Sequence, residues 1–260
     1  MKIAVSGKGG VGKTTLAACL ALVYARRGSR VLCVDADPAA SLAPALGVPK
    51  DVAAKIKPIN EMRDLIEERT GAKPGTYGGF FSLNPDVDDL PDTFAVDAGG
   101  VRLLVTGGLK DAAAGCYCPE NELLKVLLLH IFTERDEYVV LDMEAGIEHL
   151  TRGTTSAVDA MIVVVEPGMR SLRLALSIEQ MALDLGIRHV FFVANKVASE
   201  EQAAVIGEAL AGKPLLGILP LSDRVALADL KDEGLERAAP ELLDAVEGIA
   251  DRIEAAVASG

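Results

Sequence analysis

Short runs of β-branched and aliphatic residues recur along this chain. Longer stretches separate them, in which apolar positions return every three or four residues. The runs Ile3–Ser6, Arg30–Asp35, Val101–Thr106, Tyr138–Asp142, Ala160–Val165, His189–Asn195 and Leu215–Leu219 read as strands. Helical spacing occupies Thr14–Arg27, Asn121–Phe132, Ser171–Leu185, Glu200–Leu210 and Glu241–Val257. Strands this uniformly apolar are covered on both faces, and their alternation with helices implies βαβ units. The pattern predicts an α/β fold in one domain over residues 1–260. Its core is a mostly parallel sheet of seven strands or more, flanked by helices on both faces. Ligands on such sheets bind at the carboxyl ends of the strands. Every polar motif below falls at a predicted strand end.

The stretch Gly7-Lys8-Gly9-Gly10-Val11-Gly12-Lys13-Thr14 lies between the first strand and the first helix, and it matches the phosphate-binding P-loop pattern. Glycines let the backbone curl until successive N–H groups face phosphate oxygens. The helix N-terminus adds partial positive charge, Lys13 reaches the outer phosphates, and the Thr14 hydroxyl is a Mg²⁺ ligand. Gly9, Gly10, Val11, Gly12, Lys13, Thr14 and Thr15 are the expected contacts to ATP or ADP. Residues 50–100 fit the βα alternation least. They hold a polar, helix-like piece at Ile59–Arg69 and then Gly- and Asp-rich sequence. The segment reads as an insertion over the nucleotide face or as a surface that meets a partner.

Two further strands end in carboxylates. In Val34-Asp35-Ala36-Asp37-Pro38 the two acids point the same way from an extended chain. Asp35 is placed to hold a Mg²⁺-bound water and Asp37 to orient or deprotonate the attacking water. The plainer use of Asp37-Pro38 is to start a turn or cap a helix. The apolar strand Val139-Val140-Leu141-Asp142 ends in the expected second magnesium carboxylate, and Glu144 follows as a candidate switch residue. Asn195 is placed to hydrogen-bond the adenine edge, with Glu166, Pro167 and Pro220 bracketing the base. Each is also an ordinary loop residue.

Cys19 and Cys33 fall within apolar helix and strand patterns and read as core residues. Cys116 and Cys118 instead sit in a Gly- and Pro-flanked turn before a predicted helix. Two thiols at this spacing can approach one metal, and the helix N-terminus favours the thiolate. A closed tetrahedral site needs four ligands, and a two-fold dimer would supply the other pair. A redox dithiol and two incidental thiols are the alternatives.

The formal net charge of −12 disfavours nucleic-acid binding, which rests on neutralising phosphates with Lys and Arg. No uncharged apolar run approaches the ~18–20 residues needed to span a bilayer, and the acidic Glu241–Gly260 region would be repelled by an anionic membrane. The chain opens directly on a strand with no secretory pattern, so the expected compartment is the cytoplasm, with reduced thiols.

The doubled-lysine P-loop, Lys8 with Lys13, resembles the deviant Walker A signature of the MinD/ParA/nitrogenase iron protein class of ATPases. The Cys116-Tyr117-Cys118 pair and the run Asp142-Met143-Glu144-Ala145-Gly146 through Thr154 narrow the likeness to the CooC family. So do Ile59-Asn60-Glu61-Met62 and Glu166-Pro167. That family comprises nickel-insertion ATPases that mature carbon monoxide dehydrogenase. The resemblance implies a homodimer closed by ATP, with Lys8 reaching the partner's phosphates and Lys13 its own. It makes Asp37 the hydrolytic carboxylate and places Cys116 and Cys118 around Ni²⁺ or Zn²⁺ at the dimer interface. The implied client is carbon monoxide dehydrogenase or a related nickel enzyme such as acetyl-CoA synthase. An iron–sulfur ATPase like the nitrogenase iron protein and a MinD/ParA-like positioning ATPase are the other readings within the class.

Overall fold

The structure is a computed structural model that describes residues 1–75, 80–108, 118–144 and 157–259. Its centre is an eight-stranded sheet built from β1 (Lys2–Gly7), β2 (Val31–Ala36), β3 (Val96–Ala98), β4 (Val101–Val105), β5 (Tyr138–Met143), β6 (Ala160–Val165), β7 (Val190–Val197) and β8 (Leu215–Pro220). The strand order is β3-β4-β2-β5-β1-β6-β7-β8. All neighbours pair in parallel except β3, which runs antiparallel to β4 at one edge. The α/β expectation holds, and the sheet is one strand larger than the seven apolar runs.

Strand residues alternate between two cores. Ile3 and Val5 belong to one cluster and Ala4 to the other, as the two-residue repeat of a strand requires. The first core is filled by α1 (Lys13–Arg26) and α11 (Pro240–Ala258), and the second by α6 (Pro119–Thr133), α7 (Met169–Asp184) and α8 (Glu200–Ala209). The helix α1 is apolar nearly all round, because it lies between the sheet and α11. Cys19 and Cys33 are fully buried in the first core.

Residues 50–100 form α3 (Lys50–Ala53), a 3-10 turn at Ile59–Glu61, α4 (Arg63–Thr70), α5 (Leu90–Phe94) and β3. The expected helix over Ile59–Arg69 is thus broken at Met62, whose non-helical backbone separates the turn from α4. Turn and α4 both pack on α6. None of the segment's described residues lines the cavity described below. The remaining elements among the described residues are α2 (Leu42–Ala45), α9 (Asp223–Lys231) and α10 (Leu235–Ala238), the last two between β8 and α11.

Candidate nucleotide and magnesium site

The P-loop leaves β1 at Gly7 and enters α1 at Lys13, in the middle of the sheet. Its shape depends on Gly12, whose backbone φ is +97°. A methyl group there would also stand 2.2 Å from Asn195 Nδ2. Asn195 Nδ2 donates to the Val11 carbonyl at 2.8 Å, and Lys196 Nζ donates to the Gly10 carbonyl at 2.5 Å. Two loop carbonyls are therefore drawn towards the end of β7, which keeps acceptor oxygens away from phosphate. Lys196 adopts a left-handed backbone with φ 58°, a strained conformation for a non-glycine residue at a functional edge.

Beside the loop lies a cavity of about 880 Å³. Gly9, Gly10, Gly12, Lys13, Thr14 and Thr15 of the P-loop line it, as do Asp37, Ser41 and Glu144. Asn195, Lys196, Pro220, Leu221 and Val225 line it too, the last three adding apolar surface of the kind a base packs against. Val11 is fully buried in the core and takes part through its backbone. Asn195 lines the cavity as expected of an adenine contact, yet its amide nitrogen is committed to the P-loop. Glu166 and Pro167, expected to bracket the base, are not among the described lining residues. Glu166 instead accepts a 2.9 Å hydrogen bond from Lys8 Nζ.

Thr14 Oγ1 donates to Asp142 Oδ2 at 2.6 Å and lies 3.2 Å from Ser41 Oγ. Asp142 is fully buried, and its Oδ1 has no hydrogen-bond partner among the described residues. A buried carboxylate oxygen left bare costs free energy unless a cation or donor completes it. Oxygen ligands from a hydroxyl and a carboxylate next to a phosphate loop suit Mg²⁺, so the donor set fits that ion. Burial pushes the Asp142 carboxyl up to about 7, while the Thr14 hydrogen bond pulls against it.

Asp35 is engaged with the backbone of the loop that follows it. Its Oδ2 accepts from the backbone N–H groups of Ser41 and Leu42, each at 2.9 Å, and its Oδ1 from that of Asp37 at 3.2 Å. It therefore shapes the loop Asp37–Ser41 and starts α2. Burial raises its carboxyl to about 6, with those backbone bonds acting in the opposite direction. Asp37 lines the cavity, and its Oδ1 accepts from Ala39 N at 2.9 Å, which fixes the side chain in a turn. Ser41 carries no motif that sequence reasoning could have used. It reaches Thr14 only because Asp35 gathers the loop.

Cys118 is buried at 4% exposure and immediately precedes α6. Cys116 lies outside the described residues. Among those described, no group of three or more His, Cys, Asp or Glu side chains is arranged to hold a metal ion. No helix among them is long and apolar enough to cross a membrane.

Residues 2–235 match the CobQ/CobB/MinD/ParA nucleotide binding domain family. The carbon monoxide dehydrogenase accessory protein CooC of Rhodospirillum rubrum is 48% identical over 88% of this chain and 87% of its own length. An uncharacterized ATP-binding protein of Methanocaldococcus jannaschii is 45% identical over 86% of this chain and 87% of its own. Among solved structures, the septum site-determining protein MinD of Pyrococcus horikoshii, complexed with Mg-ADP, shares the fold. It has a TM-score of 0.64 at 19% identity, over 97% of this chain and 95% of that one. The chain belongs to the CobQ/CobB/MinD/ParA nucleotide-binding family and, within it, groups with the accessory protein CooC.

Proposed function

We propose that this protein is a cytoplasmic ATPase that assists nickel insertion into carbon monoxide dehydrogenase, working as a homodimer that closes on ATP or metal. The observation that carries the reading is the 48% identity to a carbon monoxide dehydrogenase accessory protein over 88% of the chain. The cavity supplies chemistry consistent with it.

In the reaction, water attacks the γ-phosphorus of ATP and the bond to the ADP oxygen breaks, giving ADP and phosphate. Lys13, 6% exposed at the start of α1, faces the outer phosphates with the P-loop N–H groups. Thr14 and Asp142 would hold Mg²⁺, which would neutralise charge developing on the phosphates. Asp37, on the loop that Asp35 orders, orients the water and takes its proton. Lys8 serves the phosphates of the partner subunit once it leaves Glu166.

Cys116 and Cys118 would form half of a four-thiolate site completed by the partner across the two-fold axis, with Ni²⁺ or Zn²⁺ as cargo. Metal and ATP would then favour the same closed dimer and strengthen each other's binding.

The test is anaerobic titration of the apo-protein with Ni²⁺, reading metal per dimer and oligomeric state together. One Ni²⁺ per dimer, lost in the variant Cys116→Ala with Cys118→Ala, is the expected result. Binding indifferent to both cysteines would overturn the shared site, and visible absorbance of a cluster would favour the iron–sulfur reading.

A further inference from the structure

The exit of β4 is gripped from two sides. On one side is the loop that lines the nucleotide cavity. The Asp35 carbonyl accepts from Thr106 N at 2.9 Å, Thr106 Oγ1 at 3.1 Å and Gly107 N at 3.3 Å. Pro38 lies directly over Gly108, where a methyl group would stand 2.4 Å from Pro38 Cγ. On the other side is Asn60. Its backbone N–H donates to the Thr106 carbonyl at 3.1 Å, and its Nδ2 donates to the Gly108 carbonyl at 2.9 Å. The turn that carries Asn60 packs on α6 through the fully buried Ile59. Cys118 is the residue directly before α6.

One side chain thus touches the strand exit that abuts the nucleotide loop, while its own turn rests on the helix that begins after Cys118. Contacts this close leave no slack to absorb a displacement. We propose that Asn60 is a positioning residue that couples the nucleotide bound at the P-loop to the setting of Cys118. A shift of the Asp37–Ser41 loop moves Pro38, Pro38 bears on Gly108, and the Asn60 amide passes that movement to the turn and α6. The proposal builds on the reading of the cysteines as a nucleotide-controlled metal site, but its test needs no metal.

In the full-length, metal-free protein, Cys118 alkylation by iodoacetamide is followed by peptide mass spectrometry with ADP and with a non-hydrolysable ATP analogue. The wild-type rates should differ by about fivefold or more, the lower end of ordinary allosteric coupling. Asn60→Asp keeps the shape and the backbone bond to Thr106 and loses the donor to Gly108. Its two rates should converge while ADP affinity stays unchanged. Gly108→Ala crowds Pro38 from the other side, and it should reduce the ratio in the same way. A ratio retained in both variants overturns the proposal, as do equal rates in the wild type. Labelling that responds to nucleotide through Asn60 supports it even where Ni²⁺ fails to bind, so the coupling and the metal reading fail separately.

Discussion

The Lys8 ammonium is held 2.9 Å from the Glu166 carboxylate of its own chain. The lysine proposed to reach across a dimer is therefore occupied within the subunit. The two side chains are 41% and 24% exposed, so the pair is worth ~0.2–1 kcal/mol. Glu166→Gln removes the competitor for Lys8. It should tighten the ATP-dependent dimer by at most about fivefold and leave ADP binding to the monomer unchanged. Sedimentation at several concentrations measures this. A weaker dimer would show that Glu166 supports the closed state instead of restraining the open one.

Asn195 admits a sharper test, because two roles are available to it. Its amide supports the Val11 carbonyl, and it also lines the cavity, where the proposed role is to meet the adenine edge. Asn195→Ala leaves a buried carbonyl without its donor, at a cost of about 1–3 kcal/mol. If the P-loop shape is what suffers, inorganic triphosphate and ADP should both bind roughly tenfold more weakly, equivalent to about 1.4 kcal/mol. Calorimetry with the two ligands separates the roles. A loss confined to ADP would return Asn195 to the adenine edge.

The seven strands visible as apolar runs all form, because strands buried on both faces leave their mark in local sequence. The eighth, β3, spans only Val96–Ala98 and pairs antiparallel at the edge, too short for any period to show. Helix α9 was also illegible: only Ala228 is buried, while Leu227 and Leu230 face outward. The site divides in the same way. The P-loop and the carboxylate ending β5 are local patterns and could be read directly. The Lys8–Glu166 pair spans 158 residues and the Asn60–Gly108 bond spans 48, and neither leaves a local signature. Asp35 was legible as a strand-end acid. Its use in gathering Ser41 and Leu42 was not, since that depends on backbone donors that any residue carries.

At the opposite end of the sheet, Arg135 joins residues 50–100 to the start of β5. It donates through both terminal nitrogens to Asp92, at 3.0 and 2.8 Å, and through Nε to Glu137 at 2.6 Å. The Glu137 side chain is 4% exposed. Arg135→Ala would strand that carboxylate, at a cost of about 3 kcal/mol or more. Thermal unfolding should shift down by about 6 °C or more, with ADP affinity unaffected. Arg135→Lys should recover little, because an ammonium cannot make the forked bond to Asp92 while also holding Glu137. A melting temperature unchanged in Arg135→Ala would show that the network is dispensable.

The pH response of the proposed magnesium site follows from Asp142. Burial lifts its carboxyl from 3.8 to about 7 in the absence of metal. Between those values the folded protein keeps a proton that the unfolded chain has released. Stability of the metal-free protein should therefore be highest at the acid end of this window and fall as pH rises towards about 7. Asp35 adds to the same trend over a narrower range that ends at about 6. Magnesium reverses the preference, since it binds the ionised carboxylate. With ADP present, Mg²⁺ affinity should climb by up to about tenfold per pH unit below neutrality and level off above it. Asp142→Asn should bind Mg²⁺ weakly at every pH, and it should lose the upper part of the stability decline while Asp35 preserves the lower. Melting curves in chelator and Mg²⁺ titrations across about pH 5.5 to about pH 8 measure both trends. A Mg²⁺ affinity independent of pH over that span would remove Asp142 from the metal site, and its bare Oδ1 would then need a donor from elsewhere.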